Sequence, residues 1–247
     1  MRPKVFLVPG VLVLAVLLGA CSGGGSGGGA GSKASTSTTT ASASASSSPS
    51  TVAPTKDMAK AQKLVLVKAD FPSTWTALPA DQSQSSADLA SEKEFNDCLG
   101  TSGPEAESAR FSGDDISLGQ IHVSSEAIVI KDDTTYKTDV TALKSAKVQT
   151  CVNQVFTKLL TTALGAAPTS VDVTPLDTPS HGDVSVGMRL TMKTAQQGVP
   201  ITVVLDFVVM AKNRAETLVT FVSFGQPVSA SLQHTVLDKL GKRVDAA

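Results

Sequence analysis

The sequence has few of the side chains from which metal and catalytic sites are built. It contains three histidines, three cysteines, one tryptophan and one tyrosine in 247 residues. His122, His181 and His234 lie far apart, and none has a second ligand at the spacing of zinc or transition-metal motifs. We therefore expect no metal site and no cofactor.

Other candidates for chemistry are equally sparse. Ser180, His181 and Asp183 include the side chains of a catalytic triad, but neighbours within one loop rarely converge as nucleophile, base and orienting group. The pairs Asp114–Asp115 and Asp132–Asp133 lack the further oxygen ligands that a calcium loop needs, so we interpret both as solvated turns. The sequence predicts no enzyme.

The chain also lacks an excess of positive charge. It has 21 basic and 22 acidic residues, and the count falls to 19 basic residues once Arg2 and Lys4 are removed with a leader. A mature chain about three charges negative offers no electrostatic footprint for nucleic acid. We expect no nucleic-acid partner.

A long uninterrupted apolar run is missing as well. Two positive charges, Arg2 and Lys4, precede the apolar stretch from Val5 to Leu17, which is typical of a secretory signal peptide over residues 1–20. A membrane-spanning helix needs about 20 apolar residues. This stretch is shorter and contains Pro9 and Gly10, so a spanning helix is the less favoured interpretation.

The leader ends in Leu18-Gly19-Ala20-Cys21, which resembles the lipobox of bacterial lipoproteins. The resemblance implies that the Cys21 thiol accepts diacylglycerol and becomes the first residue after cleavage, with further acylation such as palmitate. The partner would then be the membrane itself, and the location would be the outer face of the cytoplasmic membrane. An ordinary signal peptide followed by an incidental cysteine is the alternative.

Residues 21–55 consist of Cys21 and a tract that is nearly all Gly, Ser, Ala and Thr, with a few prolines. Such a composition cannot bury enough apolar surface to offset the entropy lost on ordering, so we expect a disordered linker. A flexible coil of roughly 34 residues averages about 30 Å from end to end and reaches at most about 110 Å. Residues 56–247 are long enough for one folded domain.

The sequence predicts five helices in this domain, four of them from helical periodicity. The segment Lys56–Ala69 has helical spacing with Asp57 as a possible cap, and Ala87–Leu99 and Val148–Leu164 each place apolar residues on one face. The polar segment Asp132–Lys147 is expected to be helical too. A last helix carries Leu232, Val236, Leu240 and Val244 on one face.

Two cysteines fall on these helices. Cys98 and Cys151 both lie on apolar helical faces, and an exported domain meets an oxidising compartment. The sequence therefore predicts a disulfide between them. Two separate buried thiols are the alternative.

The remaining segments alternate like strands. Val184–Met192 alternates apolar and polar residues, Ile201–Met210 is apolar on both faces, and Thr217–Phe224 follows a turn at Asn213. Ser108–Phe111 and Leu118–Ile130 are also predicted strands, and Val171–Thr174 a possible edge strand. In Leu118–Ile130 the apolar phase shifts, which predicts a bulge near Ser124–Ser125.

The order of elements predicts an α+β domain with an antiparallel β-sheet covered by helices. The phrases KADFPSTWT, FNDCLG, CVNQVF and VVLDFVVMAKNRAETLVTFVSFG resemble extracytoplasmic domains of actinobacterial lipoproteins and kinase sensor domains, and the similar PsbP-like α/β/α sandwiches. Those domains usually carry glycine before the tryptophan, where this chain has Thr74. The resemblance implies a non-catalytic binding or sensor module.

Two surface features have competing interpretations. Trp75 is either a core anchor or a stacking platform for a ligand, and the first is favoured. Lys239, Lys242 and Arg243 are either the wet side of the last helix or a partner patch, and again the first is favoured, because cations suit a helix C-terminus.

Three functions remain open. A binding or sensor module for an unknown envelope protein or ligand predicts a surface groove, which we expect near Trp75 and the loop around His181. A lipid or glycolipid carrier predicts an interior cavity, and an envelope hydrolase predicts converging polar residues. The binding module fits the sequence best.

Overall fold

The computed structural model describes residues 55–83, 86–164, 168–196 and 199–247. The predicted signal peptide, Cys21 and the linker up to residue 54 lie outside the described residues. The described residues form an antiparallel sheet of eight strands and five α-helices. The predicted α+β class, an antiparallel sheet covered by helices, is confirmed.

The elements have the following bounds. The helices are α1 (Lys56–Lys63), α2 (Ser86–Leu99), α3 (Asp133–Leu143), α4 (Lys147–Leu164) and α5 (Ala230–Asp245). The strands are β1 (Thr76–Leu78), β2 (Glu107–Ser112), β3 (Asp115–Leu118), β4 (Ile121–Ile130), β5 (Ser170–Leu176), β6 (Val184–Gln196), β7 (Val199–Lys212) and β8 (Ala215–Phe224). Within the described ranges, no helix is both long enough and apolar enough to cross a membrane.

The strands follow the order β1-β3-β4-β8-β7-β6-β5, and β2 pairs with the second half of β4. Helices α1 and α5 pack on one face of this sheet, where Val208 and Met210 of β7 join their core. Helices α2, α3 and α4 pack on the other face, against Leu205 and Ala211. Both faces of the central strands are therefore covered, as the apolar run of β7 predicts.

The first helix is shorter than the predicted segment Lys56–Ala69. It ends at Lys63, after which Leu64, Val65 and Leu66 are buried and the backbone N–H of Leu66 donates to the Ser125 hydroxyl at 2.7 Å. Three consecutive buried apolar residues cannot all lie on one helical face, so the chain extends along the core. Thr55 caps the helix in place of Asp57, accepting from the Met58 N–H.

The predicted strand Leu118–Ile130 is two strands. Gly119, with a φ of +60°, turns the chain between β3 and β4. The predicted bulge near Ser124–Ser125 is wrong, because β4 pairs with β8 in unbroken register. The apparent phase shift arises because both faces of β4 are covered: Val123 and Ala127 face α1 and α5, whereas Ile128 faces the other helices.

The predicted meander is confirmed in β6, β7 and β8, each of which extends beyond its predicted segment. Asn213 and Arg214 both have positive φ at the β7–β8 turn, which suits a tight hairpin. Strand β5 lies at one edge of the sheet, as predicted for Val171–Thr174. Strand β1 at the other edge has only three residues, too few for a periodic signal.

Helices α2 and α4 lie where the sequence predicts them and pack against each other. Cys98, in the last turn of α2, is joined to Cys151, in the first turns of α4, with the two Cα atoms 5.7 Å apart. This disulfide links the two helices on the same side of the sheet.

Candidate binding cavity

A cavity of about 320 Å³ lies between the sheet and helices α2 and α4, which we call the roof helices. The sheet side of the cavity is formed mainly by β4, β7 and β8. Helix α3 adds Asp139 and Leu143, and β2 adds Glu107 and Arg110. The cavity thus draws on segments that are more than a hundred residues apart in the chain.

Apolar side chains dominate the part of the cavity beside α4 and β7, which we call the apolar side. On α4 they recur at helical spacing, and on β7 they occupy alternate positions of the strand. Phe156 and Phe207 meet there with ring centroids 4.5 Å apart. The apolar lining residues are Phe95, Ile128, Leu143, Val148, Val152, Val155, Phe156, Leu159, Val186, Phe207, Val209 and Leu218.

The opposite part of the cavity is rich in carboxyl groups, and we call it the acidic side. Its titratable residues are Glu92, Glu107, Arg110, Glu126, Asp139 and Glu216. They come from α2, α3 and three strands. Five carboxyl groups and one guanidinium therefore face a single cavity.

Asp139 is buried but satisfied. Its carboxylate accepts hydrogen bonds from the backbone N–H of Ser102 at 2.7 Å and from the Ser102 hydroxyl at 2.5 Å. These two bonds satisfy a carboxylate whose burial would otherwise be costly. They also fix the loop after α2 against α3.

Glu216 is different, because its buried Oε1 atom has no hydrogen-bond partner among the described residues. Burial, together with the neighbouring carboxylates Asp139 and Glu107, raises the pKa of Glu216 to about 8. The side chain is therefore mostly protonated at neutral pH. A buried acceptor without a donor is rare in native proteins and calls for a partner other than the described side chains.

Arg110 is the centre of an ion-pair cluster at the edge of the cavity. Its guanidinium contacts Glu92 at 2.5 Å, Glu126 at 2.7 Å and also Glu107. Burial still raises the pKa of Glu126, although Arg110 opposes that shift. The one base among the described lining residues is thus already engaged by three carboxylates.

Trp75 is a core anchor, which is the interpretation that the sequence favoured. Trp75 is only 4% exposed, and its ring packs on Phe71 with centroids 5.1 Å apart. It belongs to the core beneath α1 and α5, on the face opposite the cavity. The groove predicted near Trp75 and the His181 loop is thus a different place from this cavity. A surface pocket of about 500 Å³ does lie beside Phe71, between the Asp70–Pro72 segment and α5.

The structure does not bring Ser180, His181 and Asp183 together as a triad. His181 contacts Asp245 at 2.7 Å and Asp238 at 3.2 Å, both on α5. Asp183 instead accepts a hydrogen bond from the Tyr136 hydroxyl of α3 at 2.7 Å. Because α5 and α3 cover opposite faces of the sheet, the two side chains point apart.

The other histidines also stay separate. His122 lies in β4, where burial lowers its pKa although Asp115 opposes the shift, and His234 lies in α5. Within the described part of the chain, no three His, Cys, Asp or Glu side chains are grouped so as to hold a metal ion.

The acidic pairs and the basic residues of the last helix have structural contacts. Asp114 accepts from the Lys68 N–H, and Asp132 caps α3 by accepting from the N–H groups of Thr134 and Thr135. Lys239 and Arg243 both bind Asp70, through its carbonyl and its carboxylate. Lys242 is exposed.

Sequence reasoning missed the acidic side entirely. A usable signal exists in two strands: Glu126 and Glu216 each lie between two buried neighbours, at positions that face the same helices as Ile128. A charged residue at an inward position of a covered strand is costly unless it is paired or functional. Arg110 and Asp139 give no comparable signal, since their segments are half polar.

Comparison with known proteins gives distant similarities. No family model and no curated protein matches this chain. A solved structure of LpqN, involved in cell envelope biogenesis of Mycobacterium tuberculosis, is 11% identical, covering 74% of this chain and 87% of its own, with a TM-score of 0.27. The extracellular domain of PknH from the same organism is 11% identical, covering 75% and 96%, with a TM-score of 0.37. Similarities at this level identify neither a ligand nor an activity.

Proposed function

We propose that this protein is a lipid-anchored, extracytoplasmic binding protein that holds an amphipathic small molecule in the cavity beneath the roof helices without altering it. The observation that carries the proposal is the cavity itself. Its volume of about 320 Å³ lies at the small end of the range for small-molecule sites, about 300 to 1,000 Å³.

The lining supports an apolar ligand. Twelve lining residues are apolar, and they include two phenylalanines in contact, Phe156 and Phe207. Each methylene group that moves from water into such a site contributes about 0.8 kcal/mol. A chain of several methylene groups would therefore bind measurably, with its polar end left at the acidic side.

The polar groups at the cavity support binding more than catalysis. None of the three histidines is among the described lining residues, and the Ser102 hydroxyl donates to Asp139 instead of facing a base. A hydrolase of the serine type needs a nucleophile beside a general base. For this reason we prefer a binding or carrier role over an envelope hydrolase.

The proposed lipid anchor would keep the domain close to membrane-derived ligands. Lipidation of Cys21 would hold the domain at the outer face of the cytoplasmic membrane, and the linker 21–55 would let it reach about 110 Å from the lipid surface. Tethering raises the local concentration of membrane-derived ligands, so that a modest intrinsic affinity suffices.

Binding of a neutral apolar dye tests the proposal. The mature chain, residues 21–247, carries Cys21→Ser so that no acyl anchor competes, and is made in an oxidising compartment. N-phenyl-1-naphthylamine should bind with one site per chain. Leu218→Trp, which fills the cavity from β8, should weaken binding at least tenfold, or by about 1.4 kcal/mol.

Leu118→Trp is the matched control. Leu118 and Leu218 are similarly exposed, at 41% and 36%, but Leu118 does not line the cavity. The control should bind the dye as wild type does. Absence of saturable dye binding, or equal affinity in the two folded variants, would show that the cavity is not a ligand site.

A further inference from the structure

We infer that the acidic side of the cavity selects a ligand whose polar end is a primary amine, and that it rejects the matching carboxylate. This inference rests on the proposed function, namely that the cavity binds an amphipathic molecule. It adds the chemical class of the head group.

The first support is the balance of charge around the cavity. Glu92, Glu107, Glu126, Asp139 and Glu216 line it, and Arg110 is the one base among the described lining residues. Arg110 holds Glu92, Glu107 and Glu126 together. Asp139 and Glu107 are close enough to Glu216 to raise its pKa, so the five carboxyl groups form one cluster. Charges inside a site of low dielectric interact more strongly than charges in water.

The second support is that several donors at the cavity are already used. Arg110 donates to Glu92, Glu107 and Glu126, and Ser102 donates to Asp139 through its N–H and its hydroxyl. Thr101 donates to Asn96 at 2.9 Å. A carboxylate head group, which only accepts hydrogen bonds, would find these donors turned away from it.

The third support is the unpartnered acceptor. The Oε1 atom of Glu216 is buried at the cavity and receives no hydrogen bond from the described residues. An ammonium group has three N–H donors and no acceptor, so it can complete this atom and still donate to a second carboxylate. Geometry and charge therefore select the same head group.

The protonation state of Glu216 also supports an amine head group. Burial, with Asp139 and Glu107, raises the pKa of Glu216 to about 8, so at neutral pH this carboxyl group adds no full negative charge to the cluster. A cation beside Glu216 would favour the ionised carboxylate. The amine would thereby create the ion pair that holds it.

The experiment compares three ligands that differ in one group: dodecylamine, 1-dodecanol and dodecanoate, each below its aggregation concentration. They displace N-phenyl-1-naphthylamine from the mature Cys21→Ser chain at pH 7. We expect the amine to bind at least tenfold more tightly than the carboxylate and more tightly than the alcohol. Glu216→Gln should reduce the preference for the amine several-fold while leaving dodecanol affinity unchanged.

Glu94→Gln is the control for loss of a carboxylate. Glu94 lies on the same roof helix and pairs with Lys158, but it does not line the cavity, so its removal should leave the amine preference intact. Equal affinities for the three ligands, tighter binding of the alcohol or the carboxylate, or a preference that survives Glu216→Gln would overturn the head-group assignment. Dye binding without amine preference would leave the proposed function standing, whereas no binding of any ligand would remove both.

Discussion

Cys98 and Cys151 join the two roof helices directly beside the cavity. Their neighbours Asn96, Val148 and Val152 line it, so the bond lies at the seam where α2 meets α4. Helix α2 contacts α4 more extensively than it contacts the sheet. The disulfide therefore fixes the two roof helices to each other at this seam.

Replacing Cys98 by Ser should destabilise the domain strongly. In the chain-entropy account, closing a loop of 53 residues stabilises the fold by about 4 kcal/mol. For a domain of this size that amounts to a fall in Tm of about 10 °C, measured by scanning calorimetry. Cys151→Ser should lose the same amount, because either change breaks the same bond.

Peptide mapping without reductant is the direct check on this pairing. The exported protein should yield one cross-linked peptide containing Cys98 and Cys151. Two thiols that alkylate freely in the folded protein would contradict the pairing, and the Tm of Cys98→Ser would then stay near that of wild type.

Arg189→Met should also be costly, because it leaves the buried carboxylate of Asp206 with the Gln233 side-chain amide but without its cation. Asp206 is 1% exposed, and Arg189 binds both of its oxygens, at 2.6 Å and 2.8 Å. Removing one member of a buried ion pair typically costs about 3 to 5 kcal/mol. Urea unfolding should show this loss as a lower midpoint with an unchanged slope.

Lys158→Met is the control for loss of an ion pair at the surface. Its partner is Glu94, and the Lys158 side chain is 66% exposed. Exposed pairs contribute at most about 1 kcal/mol. If the two variants lost similar amounts, the buried pair at Asp206 would not be the stabilising element that its geometry indicates.

His181 should make stability depend on pH. The hydrogen bond to Asp245, with a smaller contribution from Asp238, raises the pKa of His181 above its ordinary value near 6.5. The charged form is thus favoured in the folded state. The stability that protonated His181 contributes is complete below about pH 6.5 and is lost as the pH rises through the folded-state pKa.

The measurement is urea unfolding of wild type and His181→Gln between pH 5.5 and about pH 8.5, the range in which histidines titrate. The stability advantage of wild type should shrink as the pH rises. His122→Gln should show the opposite trend, because burial lowers the pKa of His122 and the neutral form is favoured in the folded state. If the difference in unfolding free energy between wild type and His181→Gln grew with pH, the assignment would be refuted.

Cys21 should carry the membrane anchor. The lipobox-like sequence predicts that the mature protein begins at Cys21, bears acyl groups and partitions into the membrane fraction. Intact mass spectrometry and fractionation of wild type and Cys21→Ala provide the measurement. A wild-type mass without acyl groups, together with a variant that stays in the membrane, would contradict the prediction.

The elements of the domain were largely predictable because each leaves a periodic pattern in its own segment. Helix α4 repeats its apolar residues along one face, and β6 alternates them, so local backbone geometry and solvation suffice to predict both. The errors fall where tertiary contacts override this pattern. Leu64 to Leu66 leave the helix to enter the core. In β4 the apolar residues change phase because both faces of the strand are covered, whereas the prediction assumed one solvent-exposed face.

The cavity could not be predicted in the same way. Arg110, Glu126, Asp139 and Glu216 come from four elements, and their proximity depends on the strand order and on which helices cover which face. Those choices arise from long-range packing, which leaves no periodic trace in any one segment.

Local sequence patterns were enough to predict the helices, most strands, the paired cysteines as a hypothesis, and the lipidated leader as a prediction that remains to be tested. They act over a few residues, where backbone geometry and the contrast between apolar and polar side chains dominate. The cavity exists because the packed elements do not fill all the space between them. Its acidic side and the unpartnered Oε1 atom of Glu216 have the same origin. The size and lining of such a space depend on every element around it at once, which is why they emerge only from the folded domain.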